Sequence, residues 1–129
     1  MKLSSKSLVR KLDTLWSKII RTRDCPGGFG KCITCGRIKP YSEMDCGHYV
    51  GREHWATRWN EKNCHAQCRY CNRMQEGNKG IYAREIDKRY GAGTAEMLES
   101  WRAKSKRPKD FEMEINYDLM KTNHPERTT

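Results

Sequence analysis

Cys32-Ile33-Thr34-Cys35 and, further on, Asn63-Cys64-His65-Ala66-Gln67-Cys68-Arg69-Tyr70-Cys71-Asn72 decide how this chain folds. Each stretch carries a Cys-x-x-Cys knuckle. Zinc takes four thiolate or imidazole ligands in a tetrahedron, and a knuckle supplies two of them. Cys32 and Cys35 are expected to grip one side of a Zn²⁺ ion, and Cys68 and Cys71 the other. Such a site clamps the start of a hairpin to the start of the helix that follows it. In small zinc domains the metal contributes on the order of 10 kcal/mol to folding. A redox role is the competing reading, but two matched knuckles do not resemble a single redox site. Cys25, Cys46 and Cys64 are left over. They read as small buried hydrophobes, with Cys25 an alternative fourth ligand.

Composition points the same way. The chain has 129 residues, 33% of them charged and 36% hydrophobic. One compact unit with a small core is expected, and a bound ion is a natural stabiliser for it. The 26 Lys and Arg against 16 Asp and Glu give a net charge of +10, which suits a polyanion such as nucleic acid. A merely solubilising basic surface is the plain alternative. No run reaches the ~18 apolar residues of a membrane span, and the N-terminus lacks a signal-peptide pattern. A reducing cytoplasm is therefore expected. The odd count of seven cysteines also argues against a fully paired disulfide framework.

Outward from the knuckles, residues 7–22 read as a helix. Leu8, Val9, Leu12, Leu15, Trp16, Ile19 and Ile20 fall on one side of it, and Arg10, Lys11, Lys18 and Arg21 on the other. The apolar stripe must bury against the core or against a second copy of the chain, which makes it a candidate homodimer contact. Pro26-Gly27-Gly28 marks a loop. Residues 41–50 and 63–67 read as the strands of a hairpin, joined by a basic, aromatic loop from Gly51 to Lys62. Helices are expected over 69–76, 81–90, 94–105 and 111–121, with Pro108 as a breaker and a disordered end from Thr122. The division is a basic helix over 1–24, a zinc-bound core over 25–90 and a helical extension over 91–129. The fold class is α+β.

His48, Asn63, Cys68, Cys71 and Asn72 together resemble the pattern of HNH (ββα-metal) nucleases. In that pattern a strand carries a catalytic His, an Asn follows in the hairpin, and a knuckle opens a helix whose next residue is His or Asn. The two zinc knuckles with Asn after the second resemble phage endonuclease VII. Lys11-Leu12-Asp13-Thr14-Leu15-Trp16-Ser17, Gly47-His48-Tyr49-Val50, Trp55-Ala56-Thr57-Arg58-Trp59 and His65-Ala66-Gln67-Cys68 resemble the lambda NinG (Rap) recombination proteins over roughly residues 8–90. The resemblance implies a zinc-stabilised ββα-metal core and phosphodiester hydrolysis with one divalent ion, Mg²⁺ or Mn²⁺. His48 would be the general base, Asn63 would fix the aim of its ring by bonding nearby backbone, and Asn72 would give the ion an oxygen ligand. The expected ends are a 5′-phosphate and a 3′-hydroxyl.

This chain departs from the pattern at Gly47, where many HNH enzymes carry an Asp metal ligand. His65 is the first choice of replacement and Asp45 the second, since Asp45 should point to the opposite strand face from His48. The competing reading of His65 is a structural hydrogen bond within the hairpin. Lys11, Lys18, Arg52, Arg58 and the segment from Arg102 to Lys109 are candidate phosphate contacts. His54 is expected to meet phosphate or solvent. Trp55 and Trp59 either stack on unpaired bases or belong to the core. No base-reading helix is visible, so the resemblance points to branched DNA, Holliday junctions and D-loops, in a bacterial cytoplasm. A general or site-directed nicking HNH enzyme is one alternative; a non-catalytic zinc-finger module is another.

Overall fold

The computed structural model describes residues 3–104 and 106–125. Helix α1 spans Ser5–Asp24, with the Ser4 hydroxyl accepting from the Ser7 N–H at 3.2 Å as its N-terminal cap. Its period-3.6 stripe is buried: Leu8, Leu12, Leu15, Trp16, Ile19 and Ile20. The partners are Cys64 from the sheet and Met113 and Met120 from the C-terminal helix. Each fully buried aliphatic side chain of this kind contributes roughly 1.5–3 kcal/mol. The stripe is thus used up within the chain, which removes it as a dimer contact.

The central hairpin is shorter than the sequence suggests. Strands β3 (Met44–His48) and β4 (Cys64–Cys68) pair antiparallel, with His48 opposite Cys64, Gly47 opposite His65, Cys46 opposite Ala66 and Asp45 opposite Gln67. This register sends Met44, Cys46, His48, Cys64, Ala66 and Cys68 to one face, and Asp45, Gly47, His65 and Gln67 to the other. The first face meets α1, and the second meets α3 (Lys79–Tyr90). Tyr82 and Ile86 of α3 form a second core cluster with Ala95 and Leu98 of α4 (Thr94–Ser100) and with Val50.

Around the first knuckle lies a hairpin that the sequence does not announce, β1 (Phe29–Lys31) with β2 (Ile38–Pro40). The loop after His48 contains the single turn α2 (Trp55–Arg58). From within the second knuckle the chain makes a π-helical turn, Tyr70–Met74, which includes Cys71, instead of the expected helix over 69–76. The helix expected over 94–105 is α4 followed by a 3₁₀ turn, Trp101–Lys104. Helix α5 (Asp110–Asn123) includes Thr122, which the sequence reading assigned to a disordered end; residues 126–129 lie outside the described range. Among the described residues no helix is long and apolar enough to cross a membrane.

Candidate functional site

The knuckles converge. The sulfurs of Cys32, Cys35, Cys68 and Cys71 all lie within 4.8 Å of one another, and that set could hold a metal such as zinc. Backbone N–H groups of Cys35 and Cys68 point at the Cys32 sulfur, at 3.5 and 3.3 Å. Burial alone would raise the Cys32 thiol, but these donors and the Thr34 hydroxyl pull it down to about 6. Burial, the side-chain bond to Cys71 and the charge of Cys32 push Cys68 up to about 12. Four thiolates cannot crowd together without a cation among them, and a divalent ion offsets this repulsion.

His48 and Asn72 line one cleft of about 530 Å³. Its walls come from α1 (Asp13, Trp16, Ser17), β3 (Asp45, Cys46, His48), the loop after it (Gly51, Arg52), the π-turn (Asn72, Arg73) and α3 (Lys79). Within it, the His48 Nε2 lies 2.8 Å from the Arg58 carbonyl oxygen. An oxygen there can only accept, so Nε2 carries the hydrogen and the neutral ring keeps its lone pair on Nδ1. Burial would lower the His48 pKa, but the Cys64 sulfur and the Arg58 carbonyl outweigh it and raise the value above the ordinary 6.5. Lys79 Nζ donates to the His48 carbonyl, bracing the backbone beneath the ring.

Asn63 is fully buried, and its side chain bonds the backbone of the segment that follows His48. Its Oδ1 accepts from the Val50 N–H at 2.8 Å, and its Nδ2 donates to the carbonyls of Val50 and Thr57 at 3.0 and 3.1 Å. One carboxamide thereby ties the residue just before β4 to the start of the loop that leaves His48 and to the α2 turn within that loop.

His65 does not join the cleft. It is fully buried on the opposite sheet face, with Nδ1 3.2 Å from the Tyr82 hydroxyl and Nε2 2.7 Å from the Tyr90 hydroxyl. The Tyr82 hydroxyl donates its hydrogen to the Gly47 carbonyl at 2.7 Å, so it accepts from His65 Nδ1–H, and Nε2 accepts from Tyr90. Burial, with Arg23 nearby, pushes the His65 pKa down to about 3. The imidazole is a neutral strut beneath Gly47, and both of its nitrogens are occupied.

Asp45 is the carboxylate that reaches the cleft instead. Its Oδ2 accepts from Asn72 Nδ2 at 3.0 Å, and Arg73 grips both oxygens at 2.9 Å. Strand alternation predicts it on the far face from His48. However, among the described residues β3 has β4 as its only hydrogen-bonded neighbour, so a side chain at its free edge can turn toward the π-turn. Gly47 has a packing reason. A Cβ there would run into the Gln67 side chain, so a carboxylate cannot stand at 47 unless Gln67 moves.

The basic residues divide. Arg58 is not a free phosphate contact: it donates to Asp13 at 3.0 and 2.5 Å and to the Arg52 carbonyl at 2.8 Å, and it stacks on Trp55 and Trp59. Trp59 also donates to Asp13 at 3.0 Å, so the two half-buried tryptophans serve this cluster. Lys11 lies over the Tyr117 ring at 4.1 Å; it and Lys18 line a depression on the α5 side of α1. Arg52 is 61% exposed at its side chain and lines the cleft. Beside the cleft, and sharing Asp13, Ser17 and Arg52 with it, runs a groove lined by Lys6, Arg10 and Arg21. Arg73 could have been read from its place after Asn72, whereas Lys79 arrives from a separate helix and leaves no sequence signal.

A profile of the family described as "Bacteriophage Lambda NinG protein" matches residues 2–123. The chain belongs to the NinG family. Protein ninG of Escherichia phage lambda is 37% identical to this NinG-family chain over 81 residues, which are 62% of this chain and 37% of that protein. The ninG proteins of Escherichia phage 933W and Salmonella phage P22 are 36% and 35% identical over the same length. The matched stretch thus spans well under half of these relatives. No solved structure matches this one.

Proposed function

We infer that this chain is a metal-dependent DNA endonuclease of the ββα-metal type, acting on branched recombination intermediates such as Holliday junctions and D-loops. The observation that carries the reading is the meeting of His48 and Asn72 in one cleft. His48 Nδ1, with its lone pair free of the Arg58 carbonyl, takes the proton from an attacking water. Asn63 holds the loop that sets the ring's aim. Asn72 Oδ1 and the Asp45 carboxylate are hard oxygen donors suited to Mg²⁺ or Mn²⁺. Arg73 now supplies the positive charge on Asp45; its side chain is 61% exposed, free to swing away when an ion takes that place. A divalent ion bound there would stabilise negative charge on the phosphate and the leaving oxygen. Arg52 and Lys79 flank the position a phosphate would take. The groove of Lys6, Arg10 and Arg21 extends the basic track along α1. The branched substrate rests on the family membership and on the lack of any base-reading helix.

The test uses labelled four-way junction, linear duplex and single strand with Mg²⁺ or Mn²⁺. Junction cutting is expected, with His48→Ala abolishing cleavage and sparing junction binding. Cutting of duplex and junction alike would make the chain a general nicking enzyme, and binding without cutting would make it a non-catalytic module. Sedimentation of the junction complex reads whether two copies assemble to make the paired nicks a two-fold junction needs.

A further inference from the structure

Three side chains at the cleft, one of them the His48 that the hydrolytic reading uses as base, form a group that the zinc knuckles do not account for. The β3–β4 register puts Cys46, His48 and Cys64 on one sheet face. Both sulfurs and a ring nitrogen of His48 lie within 4.8 Å of one another. A tetrahedral Zn²⁺ with bonds of about 2.3 Å to sulfur and about 2.0 Å to nitrogen sets its ligand atoms roughly 3.5–3.8 Å apart. Side-chain shifts of about 1 Å close the site. Two thiols and an imidazole suit a soft or borderline ion and disfavour Mg²⁺. The Arg58 carbonyl, 2.8 Å from His48 Nε2 and 3.7 Å from the Cys64 sulfur, closes the group on one side.

Trp16 adds to that geometry. It is 4% exposed and lines the same cleft, its indole N–H has no oxygen or nitrogen acceptor, and the Cys64 sulfur is the acceptor within its reach.

We propose that Cys46, His48 and Cys64 form a second metal site, separate from the four-cysteine centre, that takes Zn²⁺ or a kindred soft divalent ion and leaves one coordination position open toward the cleft. Binding releases the thiol protons to water. An ion held through His48 takes that ring away from its part as general base, so a loaded site and hydrolysis at the ring exclude one another, while the metal count itself is read without substrate.

The experiment counts ions on the full chain. Protein produced with zinc is dialysed against metal-free buffer and its metal measured per chain. A cadmium-113 preparation gives the ligand type by NMR. Two ions per chain are expected in the wild type, with one all-sulfur resonance and one shifted upfield by nitrogen ligation. Cys46→Ala and Cys64→Ser should each lose the second ion and resonance and keep the first. One ion and one all-sulfur resonance in the wild type would overturn the proposal without recourse to a variant. So would a second ion that survives in both variants. Should a variant unfold, the wild-type spectrum alone decides.

Discussion

At the scale of single residues, the cleft depends on side chains that never enter it. Tyr82 donates to the Gly47 carbonyl and accepts from His65, so one hydroxyl supports the backbone just before His48. Tyr82→Phe leaves that carbonyl and the buried His65 N–H unpaired. A loss of about 1–3 kcal/mol is expected in urea unfolding. His65→Ala should also destabilise the fold, while leaving the Mg²⁺ concentration needed for cleavage unchanged; a raised requirement would return His65 to the role of metal ligand. Sequence spacing led to His48, Asn63 and Asn72 as candidates, because fixed offsets from a knuckle translate into fixed places on a hairpin and the turn after it, and His48 and Asn72 do line one cleft. It ranked His65 above Asp45, whereas Asp45 lines the cleft and His65 lies against Tyr82 and Tyr90, a difference set by burial and by a free strand edge. A linear pattern does not encode which of two polar residues finds tyrosine partners.

At the scale of elements, α1 and the helix over 111–121 were both legible, but their packing on one another was not. The apolar residues of α1 repeat every three or four positions, which fixes the buried face. Helix α5 covers part of that face with Met113 and Met120, yet exposes Phe111, Ile115 and Leu119, so its pattern shows no clean stripe. The β1–β2 hairpin was missed for a similar reason: its strands are three residues long, and Phe29 and Ile38 are 60% and 72% exposed. The end of α1 is locked to β4 by Asp24, which accepts from Arg23 at 2.7 Å and from the Ala66 N–H at 2.8 Å. Burial would raise the Asp24 pKa, but Arg23 and the Ala66 N–H lower it below its ordinary 3.8. A carboxyl whose folded pKa is depressed stabilises the fold above its unfolded pKa, and that contribution fades as pH falls through the folded value. Asp24→Asn should therefore be less stable than wild type near neutrality. The gap should begin to close below about pH 3.8 and vanish once the native carboxyl is protonated. Denaturant midpoints of both proteins across that range give the answer; a gap independent of pH would assign the Asp24 contribution to shape alone.

At the scale of the whole molecule, the four-cysteine cluster bears on stability and the basic track on the proposed DNA contact. The four-cysteine centre joins the β1–β2 hairpin to β4 and the π-turn. Stripping its ion should remove the cooperative thermal transition, on the order of 10 kcal/mol being at stake in small zinc domains. Cys68→Ser should do the same. The track predicts something different for two neighbouring arginines. Arg58 is 13% exposed at its side chain and is spent on Asp13 and the tryptophans, whereas Arg52 is 61% exposed and meets Asp13 only at 3.8 Å. Exposed ion pairs of that length contribute about 0–1 kcal/mol, so Arg52 is available to a phosphate at little cost to the fold. Each phosphate neutralised releases counterions, and log K falls with log salt by about 0.9 per contact on duplex DNA. Arg52→Ala should flatten that slope by about one contact and leave the melting temperature near wild type. Arg58→Ala should lower the melting temperature by breaking the cluster, with its effect on DNA following from the loop's displacement. Salt titrations of junction binding beside thermal melts of both variants separate the two. An Arg52→Ala protein with an unchanged slope would move the nucleic-acid path off the cleft and, with it, the phosphate away from His48.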